Sequence, residues 1–239
     1  MFEFIINIFD LVLYRPLFNA LVLLYNYIPG HDFGIAIIIL TILIRIILYP
    51  LAVKSLNSQK VLQKIQPKIQ EIQKKHKDDK EKLAKETLEL YRKEKINPFS
   101  GLFLAFIQLP ILIALYSVFW KGFNPSELEN LYKLVLNPVA INTNFLGLTD
   151  LSKPNIVFAV LAGILQFFQT KMMLPKTAAI KEKGSGPDFS KVMQTQMVYF
   201  FPILTIIILL GLPSAIGLYW IVSGIFSIAQ QYFILKKKD

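Results

Sequence analysis

Cysteine is absent from this sequence of 239 residues, and histidine occurs only at His31 and His76. The lack of cysteine excludes disulfides, thiolate metal sites, iron–sulfur clusters, a catalytic thiol and a lipidated N-terminal cysteine. With two histidines outside the apolar segments, neither a Ser–His pair nor a His-based metal site can assemble within them. A Walker-type phosphate-binding loop is also missing. We therefore predict that the protein is not an enzyme and requires no cofactor or metal.

Charged residues are scarce at 18% of the chain, whereas apolar residues make up 54%. An ordinary globular domain has roughly 25% charged and 45 to 50% apolar residues. The mean hydropathy is +0.49, and 26 basic against 16 acidic residues give a net charge of +10. Because long stretches carry no charge, the basic residues are concentrated between apolar segments. This composition indicates a membrane protein.

Three apolar runs have about the 20 residues that a helix needs to cross the hydrocarbon core. Residues 33–53 contain a single charge, Arg45, and residues 99–120 contain none. Residues 154–174 reach their one charge, Lys171, only near the end. Each run is therefore predicted to be one transmembrane helix.

A fourth run, residues 192–235, has 44 residues without a charge. As one helix it would extend about 66 Å, twice the roughly 30 Å of hydrocarbon, so it must fold back. Glycine and proline at 211–214 supply the break. The predicted fold class is therefore an all-α membrane protein with five transmembrane helices. Its predicted segments are an external interfacial helix at 1–30, spans at 31–53, 99–120, 154–174, 192–211 and 212–235, a cytoplasmic helical hairpin at 54–98, an external loop at 121–153 with a short helix at 126–136, a cytoplasmic loop at 175–191 and a cytoplasmic tail at 236–239.

The distribution of lysine and arginine orients these spans, because basic loops remain on the cytoplasmic side. Residues 54–98 carry 13 basic residues, residues 171–191 carry five, and the tail at 236–238 adds three. The other side carries four, which are Arg15, Lys121, Lys133 and Lys153. Five crossings place all the basic segments on one side. We expect a multi-pass protein of the bacterial inner membrane. Its N-terminus is expected outside the cell membrane and its C-terminus in the cytoplasm.

The N-terminal residues 1–28 are apolar but include Glu3, Asp10, Arg15 and Pro16. We expect an amphipathic helix on the outer interface, with tyrosines at the level of the headgroups. A sixth span or an uncleaved signal anchor is the alternative. A cleaved signal peptide is disfavoured because the basic leading region and the small-residue cleavage site are missing.

The segment 54–97 has apolar residues at helical spacing and reads as two antiparallel helices. The turn is predicted at 76–79, where an aspartate can cap the second helix, and Pro67 is expected to start or kink a helix. Thirteen basic and seven acidic residues give residues 54–98 a net charge of +6. This hairpin is either a solvated basic face that enforces topology or a docking arm for anionic lipid, ribosomal RNA or a targeting partner.

Arg45 is the one charge near the middle of a span. Such an arginine costs about 2.5 to 3.5 kcal/mol on insertion scales, so it needs a wet or paired environment. The predicted spans contain no acidic residue that could pair with it, which leaves water, backbone or a ligand. Thr41, Arg45 and Tyr49 have the i, i+4 spacing that places residues on one helix face. They are predicted to form a polar stripe on the first span.

Polar residues recur in the inner halves of the other spans, whereas the outer halves are almost pure hydrocarbon. The predicted groove residues on these spans are Gln108, Gln166, Gln169, Thr170, Trp220, Ser223 and Ser227; Gln194, Thr195, Gln196, Gln230 and Gln231 are further polar residues in these inner halves. Because a channel needs polar lining at both ends, this pattern predicts a cavity open to the cytoplasm and sealed toward the outside. The alternative is that these residues merely join helices or reach the headgroups.

Several motifs in one order resemble a known family. They are Asn-Pro at 97–98, Gln-Leu-Pro-Ile at 108–111, the stretch at 66–73, Leu-Tyr-Trp-Ile at 218–221 and Gln-Gln-Tyr at 230–232. Around a lone intramembrane arginine, these motifs resemble the YidC/Oxa-type membrane protein insertases over about residues 33–235. The resemblance is to short bacterial members without the large periplasmic domain. It implies a five-helix core with Arg45 at the position of the family's groove arginine.

The resemblance also implies a function. Members of this family take newly made membrane proteins, alone or beside the Sec translocon, and release them sideways into lipid. The expected partners are therefore nascent membrane proteins and membrane lipids, with the Sec translocon and the ribosome as further candidates, and DNA is not expected. The apolar part of a client is expected to slide along the second and fourth spans.

Two other functions fit parts of the pattern. An inward-facing small-solute transporter could use a site lined by Arg45, Gln166 and Gln169. A chaperone or assembly factor could hold helices without inserting them.

Overall fold

The computed structural model of the protein describes residues 2–77, 79–94, 97, 100–121, 125–173 and 189–236. Within these ranges the fold is almost entirely helical. The elements are α1 (Phe2–Phe9), a π-helical turn (Asp10–Tyr14), α2 (Arg15–Tyr27), α3 (Phe33–Ile47), α4 (Tyr49–Lys75), α5 (Lys80–Lys93), α6 (Ser100–Lys121), a 3-10 helix (Pro125–Asn130), β1 (Asn144–Phe145), β2 (Thr149–Asp150), α7 (Ile156–Met173), α8 (Phe189–Leu209) and α9 (Ser214–Lys236).

Three helical segments are long and apolar enough to cross a membrane, as judged by length and composition over the described residues. They are Ile6–Tyr27, Ile156–Met173 and Ser214–Lys236. The bent pair α3 and α4 is a fourth candidate, and Phe106–Lys121 and Gln196–Leu209 are shorter apolar stretches. The protein is thus a nearly all-α chain with three or four candidate spans, and the five predicted spans stay a prediction.

The N-terminal segment is helical from residue 2 to residue 27, with a π-helical turn in its middle. In a regular helix the ring of Pro16 would clash with the carbonyl group four residues earlier. The wider π turn directly precedes the proline and lies where that clash would occur. The Arg15 side chain reaches back over this turn to Asp10, with 2.7 Å between Nε and Oδ2. The π turn therefore lets a proline lie within an otherwise continuous helical segment.

The chain bends by 61° between α3 and α4, at Leu48. Pro50 lies in the first turn of α4, where its missing N–H is not needed for helical hydrogen bonding. The bend falls inside the range predicted as one span, and α4 continues for 27 residues to Lys75. Pro67, expected to start or kink a helix, lies inside α4.

The side chain of Asp79 caps α5, as predicted, by accepting a hydrogen bond of 3.0 Å from the backbone N–H of Lys82. This bond lowers the pKa of the Asp79 carboxyl below its usual value. α5 lies against α4. Across this pair, Lys68 contacts Glu94 at 3.0 Å and His76 contacts Glu86 at 2.8 Å. The two helices are therefore joined at the middle of α5 and just after its last residue.

α9 is the central helix of the bundle and packs against α7, α3 and α4. α7 also packs against α8, while α6 packs mainly against α4, the π turn and α2. Two glycines allow close helix contacts, because an added Cβ would lie 2.5 Å from Ile206 at Gly163 and 3.1 Å from Phe158 at Gly217. α8 ends at Leu209 and α9 begins at Ser214, with the predicted glycine–proline break between them.

The connection from α6 to α7 differs from the helix predicted at 126–136. The structure has a 3-10 helix that ends at Asn130. The side chain of Asn19 explains the difference, because its Oδ1 accepts the backbone N–H of Tyr132 at 2.6 Å and its Nδ2 donates to the carbonyl of Asn130 at 3.4 Å. Backbone groups that would extend an α-helix are thus bonded to α2 instead.

A short β-hairpin follows, formed by the two-residue strands β1 and β2. The hydropathy pattern did not predict it. Asn144 pairs with Asp150 and Phe145 pairs with Thr149 in antiparallel register. The Phe145 ring lies against Gly34 of α3, where any Cβ would clash. Beyond the hairpin, the carbonyls of Leu151 and Lys153 accept the first N–H groups of α9, and Ser214 Oγ donates to the carbonyl of Asp150. This connection therefore holds the first turn of the central helix. We call the end of the bundle that carries residues 125–155 the loop end.

Candidate functional site

A cavity of about 270 Å³ lies among α3, α6, α7 and α9. Its lining residues are Arg45, Gln108, Leu112, Gln166, Gln169, Thr170, Tyr219, Trp220, Ser223 and Gly224. Seven of the ten predicted groove residues are among them. Side chains that are far apart in sequence and polar in apolar helices therefore meet around one hollow.

Arg45 extends from the last turn of α3, and its Nη2 donates a hydrogen bond to Ser223 Oγ of α9. Within the described ranges, no carboxylate forms an ion pair with Arg45. A guanidinium carries five N–H donors, and a hydroxyl oxygen can accept from only some of them. Because Arg45 also lines the cavity, it adds a positive, hydrogen-bonding group to the wall.

Two further hydrogen bonds connect α9 to the other walls. Gln108 Nε2 of α6 donates to the hydroxyl oxygen of Tyr219 at 2.5 Å. Trp220 Nε1 donates to Gln166 Oε1 of α7 at 3.2 Å. Together with Ser223, two successive residues of α9 therefore bond to three different helices.

Three predicted groove residues are not among the lining residues. Thr41 is buried, and its hydroxyl donates to the carbonyl of Ile37 in its own helix at 2.6 Å. Tyr49 lies beyond the bend at Leu48, so the i, i+4 spacing no longer places it on the face of Arg45; its ring is exposed. Ser227 is buried one turn further along α9.

Three lining residues were not predicted as groove residues. Tyr219 precedes Ser223 by four positions, so extending the polar face of α9 by one turn would have reached it. Leu112 follows Gln108 by four positions on α6, but an apolar residue within an apolar helix does not indicate a polar cavity. Gly224 allows α7 to approach α9, since an added Cβ would lie 3.2 Å from Leu165.

The other polar residues predicted in the inner halves of the spans differ in their exposure. Gln196 is exposed, and Gln230 and Gln231 are buried. Gln230 Nε2 lies 3.5 Å from the carbonyl of Tyr49 and so contacts the start of α4. The side chains of Gln194 and Thr195 lie outside the described part of the chain. The contact of Gln230 matches the alternative that such residues join helices.

Long apolar surfaces lie on α6, which lines the cavity, and on α8, which packs against the lining helix α7. The exposed residues of α6 recur at steps of three and four, at Phe106, Leu109, Ile113, Tyr116 and Trp120. Those of α8 include Met197, Tyr199, Phe200, Phe201, Ile203, Ile207 and Ile208. Such continuous apolar faces suit contact with lipid or with another apolar helix.

The arrangement can bind polar groups by hydrogen bonding and can attract negative charge. Amide, hydroxyl, indole and guanidinium groups converge on one hollow, and each can exchange a partner within the protein for one on a bound segment. We find no nucleophile with an adjacent base among the lining residues. The lining side chains therefore support reversible binding of a polar segment.

Comparisons with known proteins give consistent similarities. A family profile described as 60Kd inner membrane protein matches residues 23–239. The chain is 37% identical over 206 residues to a membrane protein insertase YidC from Fusobacterium nucleatum, covering 86% of this chain and 87% of the relative. It is 34% identical to a YidC from Oceanobacillus iheyensis over 211 residues, or 87% of this chain and 76% of that protein. It is 36% identical to a YidC from Syntrophus aciditrophicus over 224 residues, or 93% of this chain but only 36% of the relative.

Proposed function

Because this chain belongs to the 60Kd inner membrane protein family and, within it, to the bacterial YidC-type proteins, we propose that it inserts newly made proteins into the membrane. The observation that supports this most directly is the cavity around Arg45. It presents a positive charge and several hydrogen-bonding groups inside a bundle of apolar helices.

In this mechanism, the cavity receives the short polar leading segment of a client. Crossing hydrocarbon unaided would strip that segment of its hydrogen bonds, at a cost of several kcal/mol for each unsatisfied group. Arg45 attracts acidic groups, while Gln108, Gln166 and Trp220 exchange their mutual hydrogen bonds for bonds to the client. Because bonds are exchanged rather than lost, the polar segment can move without full desolvation.

The apolar segment of the client moves along the exposed faces of α6 and α8. α6 lines the cavity and α8 packs against α7, which also lines it, so one client can place its polar part in the cavity and its apolar part in lipid. Burial of apolar surface, at about 25 cal/mol per Å², provides the driving force. No nucleotide is required by this route.

Five helices serve as spans in this proposal, namely α3, α6, α7, α8 and α9. α3 has 15 residues, which is about 22 Å and shorter than the roughly 30 Å hydrocarbon core. The span therefore continues past Leu48 into the first turns of α4, where Ala52 and Leu56 are buried. The C-terminus and the pair α4 and α5 lie in the cytoplasm, following the basic residues.

The N-terminal segment lies at the outer interface in this proposal, although Ile6–Tyr27 is long and apolar enough to span. The connection at 127–136 runs beside it, bonded to Tyr14, Asn19 and Asn26, and is irregular after the 3-10 helix ends at Asn130. That connection exposes Lys133. Irregular backbone and a charge cannot face hydrocarbon, so the adjoining residues 14–26 are placed outside it.

The pair α4 and α5 is a candidate docking arm for a ribosome or a Sec translocon. It carries the largest concentration of basic residues in the sequence. Gln63 Nε2 of α4 also donates to the carbonyl of Met173 at the end of α7. A partner that binds this arm would therefore be held close to the end of a span that lines the cavity.

Insertion of a short client with an acidic leading segment into vesicles that contain only this protein tests the proposal. Arg45→Ala should reduce insertion about tenfold, the loss expected for one charge-assisted interaction. Arg45→Lys should retain most activity, and Gln169→Lys added to Arg45→Ala should restore part of it. Arg15→Ala is the matched control, since it removes an arginine outside the cavity. Undiminished insertion by Arg45→Ala would remove Arg45 from the mechanism.

A photocrosslinker at Gln166 provides a second test in cells. An insertase should yield crosslinks to nascent membrane proteins, and a crosslinker at the exposed residue Glu129 should not. Uptake of a small solute without capture of nascent chains would instead identify a transporter.

A further inference from the structure

Five large aliphatic side chains at the loop end are more than half exposed. They are Leu134, Leu136, Val139, Leu146 and Leu148, and we call them the aliphatic patch. Leu134 is 93% exposed and Leu148 is 86% exposed. Isolated apolar residues on a surface are common, but several together on short loops indicate a contact with another apolar phase or molecule.

Hydrogen bonds to one short stretch of the chain fix the backbone beneath the patch. Asn26 Nδ2 donates to the carbonyl of Leu136 at 2.7 Å. The N–H of Leu146 donates to Asp32 Oδ2 at 2.6 Å. Between them, the N–H of Asn142 donates to the Tyr25 hydroxyl at 2.9 Å. Because these anchors lie within eight residues of each other, the two loops are held side by side and the patch is one surface.

Two residues of the patch have a left-handed backbone conformation, which favours glycine or asparagine over aliphatic residues. Val139 has φ of +64° and Leu146 has φ of +53°, in the left-handed region where a β-branched residue is a clear outlier. Leu146 precedes Gly147, also at positive φ, in a tight hairpin turn for which Asn-Gly is the preferred pair. Packing within the protein does not offset this strain, since both side chains point outward. Strain kept at exposed aliphatic residues indicates that their side chains make a contact outside the chain.

The surroundings of the patch identify the occupant as lipid. Exposed Tyr27 lies in sequence between the anchors Asn26 and Asp32, and exposed Ile156 begins α7, a candidate span, eight residues after Leu148. Lys133 is the one charged residue from 131 to 149, and it suits the phosphate of an anionic headgroup. Aromatic and basic residues around aliphatic ones are typical of segments at a membrane interface.

We propose that the aliphatic patch inserts into the headgroup–acyl boundary of the adjoining leaflet, which is the outer leaflet in the proposed orientation, with Lys133 at the phosphates. This contact is independent of insertion activity. The contact is also linked to the cavity through α9. The connection between α6 and α7, which carries the patch, accepts hydrogen bonds from Ser214 and Ala215 at the start of that helix. Lipid would therefore brace the outer end of the helix that carries Tyr219 and Ser223.

The absence of native cysteine allows a direct test with single-cysteine variants of the full chain. Leu136→Cys, Val139→Cys and Leu148→Cys are each labelled with a nitroxide and reconstituted in vesicles of phosphatidylcholine and phosphatidylglycerol. Collision rates with oxygen and with a water-soluble nickel chelate then report the depth of each label. Glu129→Cys, an exposed site on the 3-10 helix, is the matched control.

The three patch labels should collide more with oxygen than with the nickel chelate, and the label at Glu129 should show the reverse. Lys133→Gln should shift the patch labels toward the nickel chelate in vesicles with phosphatidylglycerol and have little effect in phosphatidylcholine alone. Patch labels as accessible to the chelate as the control would overturn the proposal. Labels shielded from both reagents would also overturn it, because they would place the patch against protein.

Discussion

Gln108 of α6 donates a 2.5 Å hydrogen bond to the hydroxyl of Tyr219 on α9, and both side chains line the cavity. α6 otherwise packs mainly against α4 and α2, whereas α9 packs mainly against α7 and α3. This bond is therefore a direct polar link between α6 and α9, and it would have to break if a client separated these two helices.

Tyr219→Phe should destabilise the protein by about 1 kcal/mol, because it keeps the ring but removes the partner of Gln108. Thermal unfolding in detergent measures this change. Tyr116→Phe is the control, since Tyr116 is exposed on the apolar face of α6 and stacks on Trp120. Equal shifts for the two variants would show that the Gln108 bond contributes nothing specific.

Gly163→Ala should destabilise the contact between α7 and α8. Its new Cβ would lie 2.5 Å from the side chain of Ile206 and 3.1 Å from the carbonyl of Pro202, so that side chain or one of the helices must shift. We expect a loss of about 1 to 3 kcal/mol, as for other overpacked sites. Gly211→Ala tests the same chemical change without crowding, because its nearest atom would be 3.6 Å away. Unfolding midpoints in detergent should fall for the first variant and stay nearly constant for the second.

Asp150 should make the loop end sensitive to acid. Its carboxylate accepts hydrogen bonds from Ser152 and Thr143, and these bonds hold its pKa well below the usual value. A depressed pKa contributes stability above the pKa of the unfolded chain, about 3.9, and that stability is lost as pH falls further. Asp150→Asn should therefore lower the unfolding midpoint at pH 7, and its difference from the unmodified protein should shrink below about pH 4. Glu129→Gln, at an exposed position, should show no such trend.

Val139→Asn separates backbone strain from membrane contact. Asparagine tolerates the left-handed conformation, so the variant should be more stable in detergent by about 1 kcal/mol. In vesicles, it should weaken the contact of the patch with lipid, seen as a shift of the label at Leu136 toward the nickel chelate. A lower unfolding midpoint in detergent would contradict the assignment of strain to Val139.

Much of the cavity was predictable because its evidence is local. A polar side chain such as Gln166 or Arg45 stands out in an apolar run, whatever it contacts. Tyr219 shares a helix face with Ser223, but this signal is weak because a tyrosine near a helix end suits a membrane interface equally well. Its importance depends on Gln108, which lies 111 residues earlier in the sequence.

The predictions that failed depended on contacts that no local pattern reports. The helix predicted at 126–136 ends early because Asn19, more than 100 residues away, bonds to its backbone. Tyr49 leaves the predicted polar stripe because the chain bends at Leu48. Pro50 does not predict this bend, because a proline in the first turn of a helix is compatible with either a straight or a bent connection to the preceding helix.

The sequence by itself determined the family, the apolar helices, the break between α8 and α9, and the presence of one charge that apolar surroundings cannot solvate. These follow from composition and spacing, which act over a few turns of chain. Only the tertiary structure decided that Arg45 meets Ser223, 178 positions away, and that α9 carries the bonds to three walls of the cavity. The reason is that each bond depends on the relative positions of two helices, and packing of the whole bundle sets those positions.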